Sequence, residues 1–337
     1  MLTVVRDWPI DTWRRFVDQH PAGNIFHTPE IFQVFAKTKG YKPELWAAAQ
    51  NGHLLALFLP VKVTLMNGLL RRLTTRSVVF GSVLCGPSPE GQNALDQVLQ
   101  AYIQALPKDS MFTELRNLSD QSALKPVLHR HGFAYESHLN YLIRLDRTEE
   151  ELFRSIGSRT RKNIRHGLNQ GRVTLEEIRE RKQIAICYEL LCRTYRAARV
   201  PLADISLFRN AFDLLYPKGM VKFTLARLDQ RPTAVSVELF YKDTIYGWYG
   251  GVNRDSARYP VHELLMWHVF KRGSQDGYHL YDFGGAGRPH EEYGVRDFKA
   301  KFGGELVCYG RNICIHSPRL LWISEKGYKL LRRVLWV

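Results

Sequence analysis

The chain has 337 residues, enough for two domains of ordinary size or for one large domain. Hydrophobic residues make up 45% of the sequence and charged residues 24%, a composition that excludes general disorder and collagen-like or low-complexity chains. Its 48 basic and 33 acidic side chains give a net charge of +15, which favours an anionic partner such as nucleic acid, a nucleotide-linked substrate or an acidic lipid.

The first predicted elements lie between residues 45 and 117. Residues 45–63 are predicted to form a β-hairpin around Asn51-Gly52, because asparagine and glycine adopt the positive φ angles of a tight two-residue turn. A turn-rich Cys-Gly-Pro-Ser-Pro segment follows at 85–89, then an amphipathic helix at about 91–106 and a strand at 111–117.

The same order of elements returns about 178 residues later. A hairpin is predicted at 223–241 with its turn at 229–232, then a strand at 245–251, a helix at 261–275 and a strand at 278–284. The similarity is one of pattern, not of letters, and it predicts two packed modules of one architecture. Because helices interrupt the strands, the fold class is α/β or α+β with mixed central sheets flanked by helices.

Between the two segments lies a helical stretch with the densest basic cluster of the chain. Residues 147–170 are predicted to be helical, with three glutamates in the first turn where they suit the positive helix end. Arg161 and Arg165 are four residues apart and so share a face of this helix. Guanidinium groups bind phosphate oxygens through two parallel hydrogen bonds, so the cluster predicts a phosphate site, with a solvated charged face as the alternative.

A second candidate site follows the last predicted strand. Residues 276–310 include the glycines Gly284-Gly285 just past the strand end, where functional sites of such sheets gather. Lys299 and Lys301 follow among phenylalanines. A partly buried lysine can stabilise a developing oxyanion or bind phosphate, and two lysines lying along a helix surface are the alternative.

The remaining patterns concern the compartment and bound metals. Five cysteines, at positions 85, 187, 192, 308 and 314, form no CxxC pair. The start of the chain lacks the apolar run of a signal peptide, and no stretch of about 18 apolar residues predicts a membrane span. The scattered histidines do not have the spacing of a zinc site. We therefore expect a cytoplasmic protein without a metal ion or cofactor. It can also associate with the inner face of the membrane.

Three motifs resemble the Fem family, the aminoacyl-tRNA-dependent transferases that build peptidoglycan interpeptide bridges. Residues 158–173 resemble its S-x-T-R-x-N-I-R…G-V stretch, and residues 281–304 resemble its Y-D-F-G-G…F-K-x-x-F-G-G block. An early Gly-Pro turn at 86–90 resembles its G-P-x-x-D turn. The resemblance implies two modules with the GNAT fold of N-acyltransferases, at 1–145 and 146–318, with a helical tail at 319–337.

The resemblance also implies partners and site residues. The donor would be an aminoacyl-tRNA and the acceptor a nucleotide- or lipid-linked muropeptide precursor, with an anionic membrane as a peripheral contact. Lys299 would stabilise the anionic transition state or hold the tRNA end, and Glu90 would accept the proton of the amine. The phosphate contacts that the resemblance and the basic cluster together suggest are Lys37, Arg161, Arg165, Arg196, Arg199 and Tyr249, with Lys39 as a neighbour of Lys37.

Two other functions stay open at this point. The first is an acyl-CoA-dependent N-acyltransferase related to polysaccharides or lipids, although no good copy of the (R/Q)xxGx(G/A) pyrophosphate loop of GNAT enzymes is present. The second is a nucleic-acid-binding protein without catalysis, whose binding would fall steeply with salt and would not depend on Lys299.

Overall fold

The computed structural model describes residues 1–66, 68–106, 110–253 and 259–334. The chain divides into two compact units, the first made of Met1–Ser137 with Tyr309–Val337 and the second of His138–Cys308. Both units combine sheets with flanking helices, which confirms the predicted fold class.

The elements of the first unit come from both ends of the chain. Its strands are β1 (Leu2–Val5), β2 (Tyr41–Pro43), β3 (Trp46–Gln50), β4 (His53–Phe58), β5 (Val61–Thr64), β6 (Thr75–Phe80), β7 (Leu84–Cys85), β8 (Phe112–Arg116) and β9 (Ala134–Glu136), with the late strand β17 (Arg311–Ile315). Its helices are α1 (Ile10–Gln19), α2 (Pro29–Ala36), α3 (Arg71–Thr74), α4 (Pro89–Gln104), α5 (Lys125–Arg130) and α12 (Pro318–Val334).

The second unit is continuous in sequence. Its strands are β10 (Asn140–Arg144), β11 (Val173–Glu177), β12 (Val221–Leu228), β13 (Arg231–Tyr241), β14 (Thr244–Val252), β15 (Leu280–Gly285) and β16 (Glu305–Val307). Its helices are α6 (Glu149–Ser155), α7 (Ser158–Gln170), α8 (Ile184–Ala197), α9 (Ile205–Leu215), α10 (Val261–Gln275) and α11 (Gly294–Ala300).

Sheet topology confirms the predicted repeat. The first unit has the sheets β1-β3-β4-β7 and β2-β5-β6-β8-β17-β9, and the second has one sheet of order β11-β12-β13-β14-β15-β10-β16. Within each unit a hairpin (β3-β4 or β12-β13) precedes one parallel pair, β6 with β8 or β14 with β15, and a long helix joins the strands of that pair.

Two-residue turns close both hairpins, as the sequence predicted for the first of them. Asn51 and Gly52 have φ angles of 51° and 80°, and the second turn contains only Asp229 and Gln230, at 48° and 66°. The second turn is therefore shorter than the predicted 229–232, because Arg231 and Pro232 already pair with β12. The predicted helix at 147–170 is interrupted after Ser155, and α6 and α7 form separately.

Each unit is completed by a strand from outside its own repeat. β17 lies between β8 and β9 in the first unit, although it follows the whole second repeat in sequence. β10 lies between β15 and β16 in the second unit. In the first unit the buried Glu114 of β8 binds Arg311 of β17 as well as Arg116, and although burial raises the pKa of Glu114, these two arginines lower it to about 2.

These exchanged strands move the unit boundaries away from the predicted ones. The sequence placed boundaries at 145/146 and 318/319, but the units divide at 137/138 and 308/309. The differences correspond to β10 and β17, whose hydrogen-bonded neighbours lie far along the chain. The segment proposed as a separate helical tail forms α12, which is part of the first unit.

The cores lie between the sheets and the joining helices. In the first unit α4 buries Ala94, Leu95, Val98 and Leu99 against β3 and β4. In the second unit α10 buries Leu264, Trp267 and Phe270 with the aromatic side chains of β15. This packing fixes the β14-β15 pair, where the candidate site lies.

Candidate functional site

The second unit contains an opening between β14 and β15. The two strands pair in parallel only from Thr244–Leu280 to Tyr246–Asp282. β14 continues to Val252, and along that length the described residues give it a ladder only with β13. Beyond Tyr246 its edge toward β15 therefore has no strand ladder among the described residues, although Thr194 of α8 binds both main-chain groups of Val252. An extended ligand can pair with such an edge.

The parallel pair of the first unit does not open in this way. β6 and β8 pair from Ser77–Thr113 to Phe80–Arg116, and these last residues end both strands. The described residues thus place the open strand edge in the second unit, although both units have the same topology.

A β-bulge shapes the wall of the opening. Val237 of β13 pairs with Tyr249 and Glu238 pairs with Gly247, so Trp248 has no opposing residue. An extra residue turns the following side chains, and consecutive aromatic residues can then share a face. The Phe208 ring of α9 accordingly contacts both, with centroid distances of 6.2 Å to Trp248 and 4.8 Å to Tyr249.

Helix α8 adds to this aromatic wall, which consists of Tyr195, Phe208, Trp248 and Tyr249. The Tyr195 ring lies 5.8 Å from that of Tyr249. Arg196 follows Tyr195 in the last turn of α8, and Arg199 comes just after the helix with a positive φ of 55°. The side chains of both arginines are exposed. Arg196 and Arg199 thus lie at and just after the C-terminal end of α8, the helix whose Tyr195 ring contacts Tyr249.

Close packing requires two of the glycines on β14. A Cβ atom on Gly247 would lie 2.5 Å from the Tyr281 hydroxyl oxygen, and one on Gly251 would lie 3.0 Å from the Leu190 carbonyl oxygen of α8. Any larger residue would push β15 or α8 away from the strand. The run Tyr-Gly-Trp-Tyr-Gly-Gly at 246–251 therefore fixes both the width of the opening and its aromatic wall.

Lys299 holds the other wall, the end of β15. Its ammonium donates hydrogen bonds to three successive carbonyl oxygens, those of Phe283 at 2.6 Å, Gly284 at 3.1 Å and Gly285 at 2.8 Å. The side chain is only 7% exposed. An ammonium group has three N–H donors, so these contacts use all of them. To reach an oxyanion directly, Lys299 would have to give up one of these bonds.

An acidic group lies next to this lysine. Asp282 is buried, and its carboxylate accepts the N–H of Gly284 at 2.6 Å and the amide of Asn140 at 3.4 Å. Burial raises the pKa of Asp282 to about 6. Burial lowers the pKa of Lys299 to about 8, although Asp282 opposes that shift. At neutral pH both groups are mostly charged, so the end of β15 lies in the electric field of both charges.

Arg161 and Arg165 lie on α7, whose buried side consists of Thr160, Ile164 and Gly167. Arg161 donates to the carbonyl of Arg154, and Arg165 lies 5.1 Å from the Phe153 ring centre. Arg165 is exposed, as are Arg159 and Lys162, and the described residues offer no ion pair to any of these three. Arg154 and Arg172, toward the two ends of this basic stretch, do have ion-pair partners, Glu150 and Asp229.

The remaining predicted site residues, Lys37 and Glu90, lie in the first unit. Lys37 is exposed at the C-terminal end of α2, where its main-chain N–H donates to the Gln33 carbonyl. Glu90 is exposed in the first turn of α4 and accepts the Ser88 hydroxyl at 3.2 Å. Among the described residues no group of three or more histidine, cysteine, aspartate or glutamate side chains could hold a metal ion.

Asn140, Asp282 and Glu238 were not predicted from the sequence. Asp282 stands in the recognised Y-D-F-G-G run, so its motif was a usable signal, whereas nothing near Asn140 in the sequence indicates that it meets Asp282. Glu238 is buried on β13 and lines a cavity of about 50 Å³ with Lys222 and His268. Burial raises the pKa of Glu238 to about 8.

The stability of the protein should fall as pH rises from about 4.5 to 8 because of Glu238. Over that window the folded protein keeps a proton that the unfolded chain, with an ordinary glutamate pKa of 4.5, has released. Glu238→Gln removes this dependence. The melting temperature of the variant minus that of the wild type should therefore rise by several degrees, on the order of 5 °C, between pH 4.5 and 8 in calorimetry. Glu177→Gln, at the exposed rim of the same cavity, is the control. A constant difference across pH for Glu238→Gln would contradict the prediction.

Comparison with known protein families identifies a domain that contains this opening. Residues 154–299 match the family model of an acetyltransferase (GNAT) domain. No curated protein matches the chain. The domain lies in the second unit and includes the opening. It confirms the prediction of an acyl- or aminoacyltransferase.

Several solved structures share the fold over nearly the whole chain. FemX matches with a TM-score of 0.71 at 15% identity, covering 98% of this chain and 99% of its own. The C-terminal domain of a lysylphosphatidylglycerol synthetase from Agrobacterium fabrum gives 0.56 at 14% identity, covering 96% of both chains. A tandem GNAT protein from the clavulanic acid biosynthesis pathway gives 0.57 at 11% identity, covering 94% of this chain and 99% of its own. The resemblance to the Fem family is thus confirmed at the level of the fold.

Proposed function

We propose that the second unit transfers an aminoacyl group from an aminoacyl-tRNA ester to an amine of a nucleotide- or lipid-linked cell-envelope precursor. The observation that carries this proposal is the opening between β14 and β15. The open edge of β14 can hold the acyl group. The aromatic wall, which includes Tyr195 of α8, lies on one side of the opening, and the end of β15, held by Lys299, lies on the other. The FemX fold and the three Fem motifs support the choice of donor and acceptor.

The reaction replaces an ester by an amide. The acceptor nitrogen attacks the ester carbonyl, a C–N bond forms, and the resulting oxyanion collapses to break the C–O bond to the tRNA ribose. The proton lost by the amine finally resides on the ribose hydroxyl. Main-chain N–H groups of β14 beyond its pairing with β15 are suited to bind the oxyanion, because fixed donors at such a point lower the barrier strongly.

Lys299 acts in this proposal through the strand end. Its three hydrogen bonds hold the carbonyls of residues 283–285 toward the ammonium, and the Asp282 carboxylate holds the Gly284 N–H. This arrangement keeps the opening at a fixed width. The positive charge of Lys299 also stabilises a developing oxyanion, because electrostatic attraction is stronger in a site with few polar groups.

The aromatic wall and its two arginines form the proposed acceptor site. Aromatic rings stack on sugars and bases, and the guanidinium groups of Arg196 and Arg199 suit a diphosphate. Lys37 of the first unit stays a predicted phosphate contact of its own. The exposed basic face of α7, with Arg161 and Arg165, would bind the tRNA backbone, a contact that weakens with salt.

An acyl-CoA donor is the second candidate. The GNAT domain match favours it, and the edge of β14 beyond its pairing with β15 can also pair with the amide-bearing arm of a thioester donor. A donor screen separates the two candidates. Purified protein is given mixed aminoacyl-tRNAs or acyl-CoAs with a nucleotide-linked muropeptide, and amide products are detected by mass spectrometry. Product from acyl-CoA alone would replace our proposal by the second candidate.

Replacing Arg196 and Arg199 together by glutamine should raise the KM for the acceptor about tenfold or more, with little change in kcat. Loss of charge-assisted hydrogen bonds made equally in ground and transition states weakens binding alone. Arg193→Gln is the matched control, since Arg193 is exposed on the same helix and pairs with Glu189. An unchanged KM in the double variant would remove these arginines from the acceptor site.

A further inference from the structure

An exposed apolar surface lies on the first unit, where α12 contacts α3. Five large apolar side chains of α12 and of the segment before α3 are exposed: Leu65, Met66, Leu70, Trp322 and Ile323, at 41%, 43%, 42%, 61% and 44%. We call them the corner patch. Apolar surface of this kind, gathered at one place, marks an interaction site more often than single exposed residues do.

Hydrogen bonds connect the two halves of the corner patch. The Thr74 hydroxyl accepts the Met66 N–H and donates to the Leu70 carbonyl, both at 3.1 Å. Ser324 of α12 donates to the carbonyl of Leu73 at 2.6 Å. The loop before α3 and the first turns of α12 are therefore held beside each other in this unit.

Helix α12 presents an amphipathic outer face. Arg319, Trp322, Ile323 and Lys326 follow the i, i+3, i+4, i+7 spacing of one helix side, and all four are exposed. Ser324 lies on the side that contacts α3. The Lys326 ammonium lies 5.8 Å from the Trp322 ring centre. Basic side chains thus stand at both ends of an outward apolar pair.

The charge around the corner patch is strongly positive. The exposed Arg71 and Arg72 belong to α3, and residues 65–76 contain no acidic side chain. Residues 318–327 of α12 contain two basic side chains, Arg319 and Lys326, and one acidic one, Glu325. A protein partner with an apolar surface would not need this excess, whereas a surface of lipid phosphates would attract it.

We propose that the corner patch binds an anionic lipid bilayer peripherally. Trp322 and Ile323 lie at the depth of the headgroups and upper acyl chains, and Arg319, Lys326, Arg71 and Arg72 meet lipid phosphates. Tryptophan favours this interfacial position, since its ring is apolar with one polar N–H. No helix among the described residues is long and apolar enough to cross a membrane. The proposal does not depend on the proposed transfer reaction.

The test is co-sedimentation of the full chain with large vesicles of phosphatidylcholine alone or mixed with phosphatidylglycerol. We expect binding to the mixed vesicles only. Trp322→Ser with Ile323→Ser should weaken it at least about tenfold, since two apolar side chains lose burial in lipid. Arg319→Gln with Lys326→Gln should weaken it about fivefold for each charge removed.

A matched control removes exposed apolar side chains elsewhere. Leu168 and Leu306 are 57% and 44% exposed in the second unit, and their double change to serine should leave vesicle binding unaltered. The proposal is overturned by equal binding to neutral vesicles, by no binding to anionic ones, or by binding that survives loss of Trp322 and Ile323. If these changes instead abolish self-association measured by sedimentation velocity without vesicle binding, the patch is a protein contact. The Arg319 and Lys326 variant keeps the proposal testable should the first variant fold poorly.

Discussion

Lys299→Met should lower kcat about 10²–10³-fold while changing KM much less. The methionine keeps the apolar stem but leaves the carbonyls of Phe283, Gly284 and Gly285 without their donor. The strand end that borders the opening then loses its fixed geometry, and the site loses a positive charge. The expected size is that of losing one preorganised donor in an active site, and an effect on kcat alone is the sign of a transition-state role.

A pH profile distinguishes this role from simple support of the fold. Burial lowers the pKa of Lys299 to about 8, so the ammonium loses its proton as pH rises through that value. The wild-type rate should therefore decline above pH 8 through this group, and Lys299→Met should lack the decline. Lys301→Met is the control, because Lys301 is exposed two residues away. Wild-type turnover in Lys299→Met, with the true donor, would remove Lys299 from the mechanism.

Gly303→Ala should destabilise the second unit by about 3 kcal/mol, the larger of the expected stability effects. Gly303 has a φ of +76°, and a Cβ atom there would lie 2.4 Å from the Ser155 carbonyl oxygen. The added methyl group therefore has to displace either α6 or the turn that follows α11. Urea unfolding measures the loss.

Gly171→Ala separates the backbone cost from the clash. Gly171 ends α7 with a φ of +64°, and a Cβ atom there has nothing within 4 Å. Its replacement should cost about 1 kcal/mol, from the left-handed conformation alone. Similar losses in the two variants would show that close packing at Gly303 has no part in stability.

Close packing at Gly303 also explains physically why the recognised motif ends in glycines. The motif ends in Phe302-Gly303-Gly304, where Phe302 is fully buried against Phe270 and Phe283. A Cβ on Gly304 would lie 2.4 Å from the Leu142 carbonyl oxygen of β10. The two glycines thus let the chain after α11 pass close to α6 and β10, and they place Lys299 under the strand end.

Local sequence determined the hairpins, the joining helices and the strand before the opening. Asn51-Gly52 turns the chain through its own φ preference, and the helix at 261–275 follows from apolar spacing alone. Such features depend on neighbours within a few residues. The motif residues Arg161, Arg165 and Lys299 were therefore recognisable in the sequence as candidates, before any contact was known.

Tertiary structure alone decided the unit boundaries and the surroundings of the site. β10 and β17 pair with strands that lie more than a hundred residues away, so no local pattern could assign them to a unit. The same holds for Asn140 beside Asp282, and for the three carbonyls that occupy the Lys299 ammonium. Burial then shifts the pKa values of Asp282, Lys299 and Glu238, because desolvation depends on everything packed around a group and not on its neighbours in the chain.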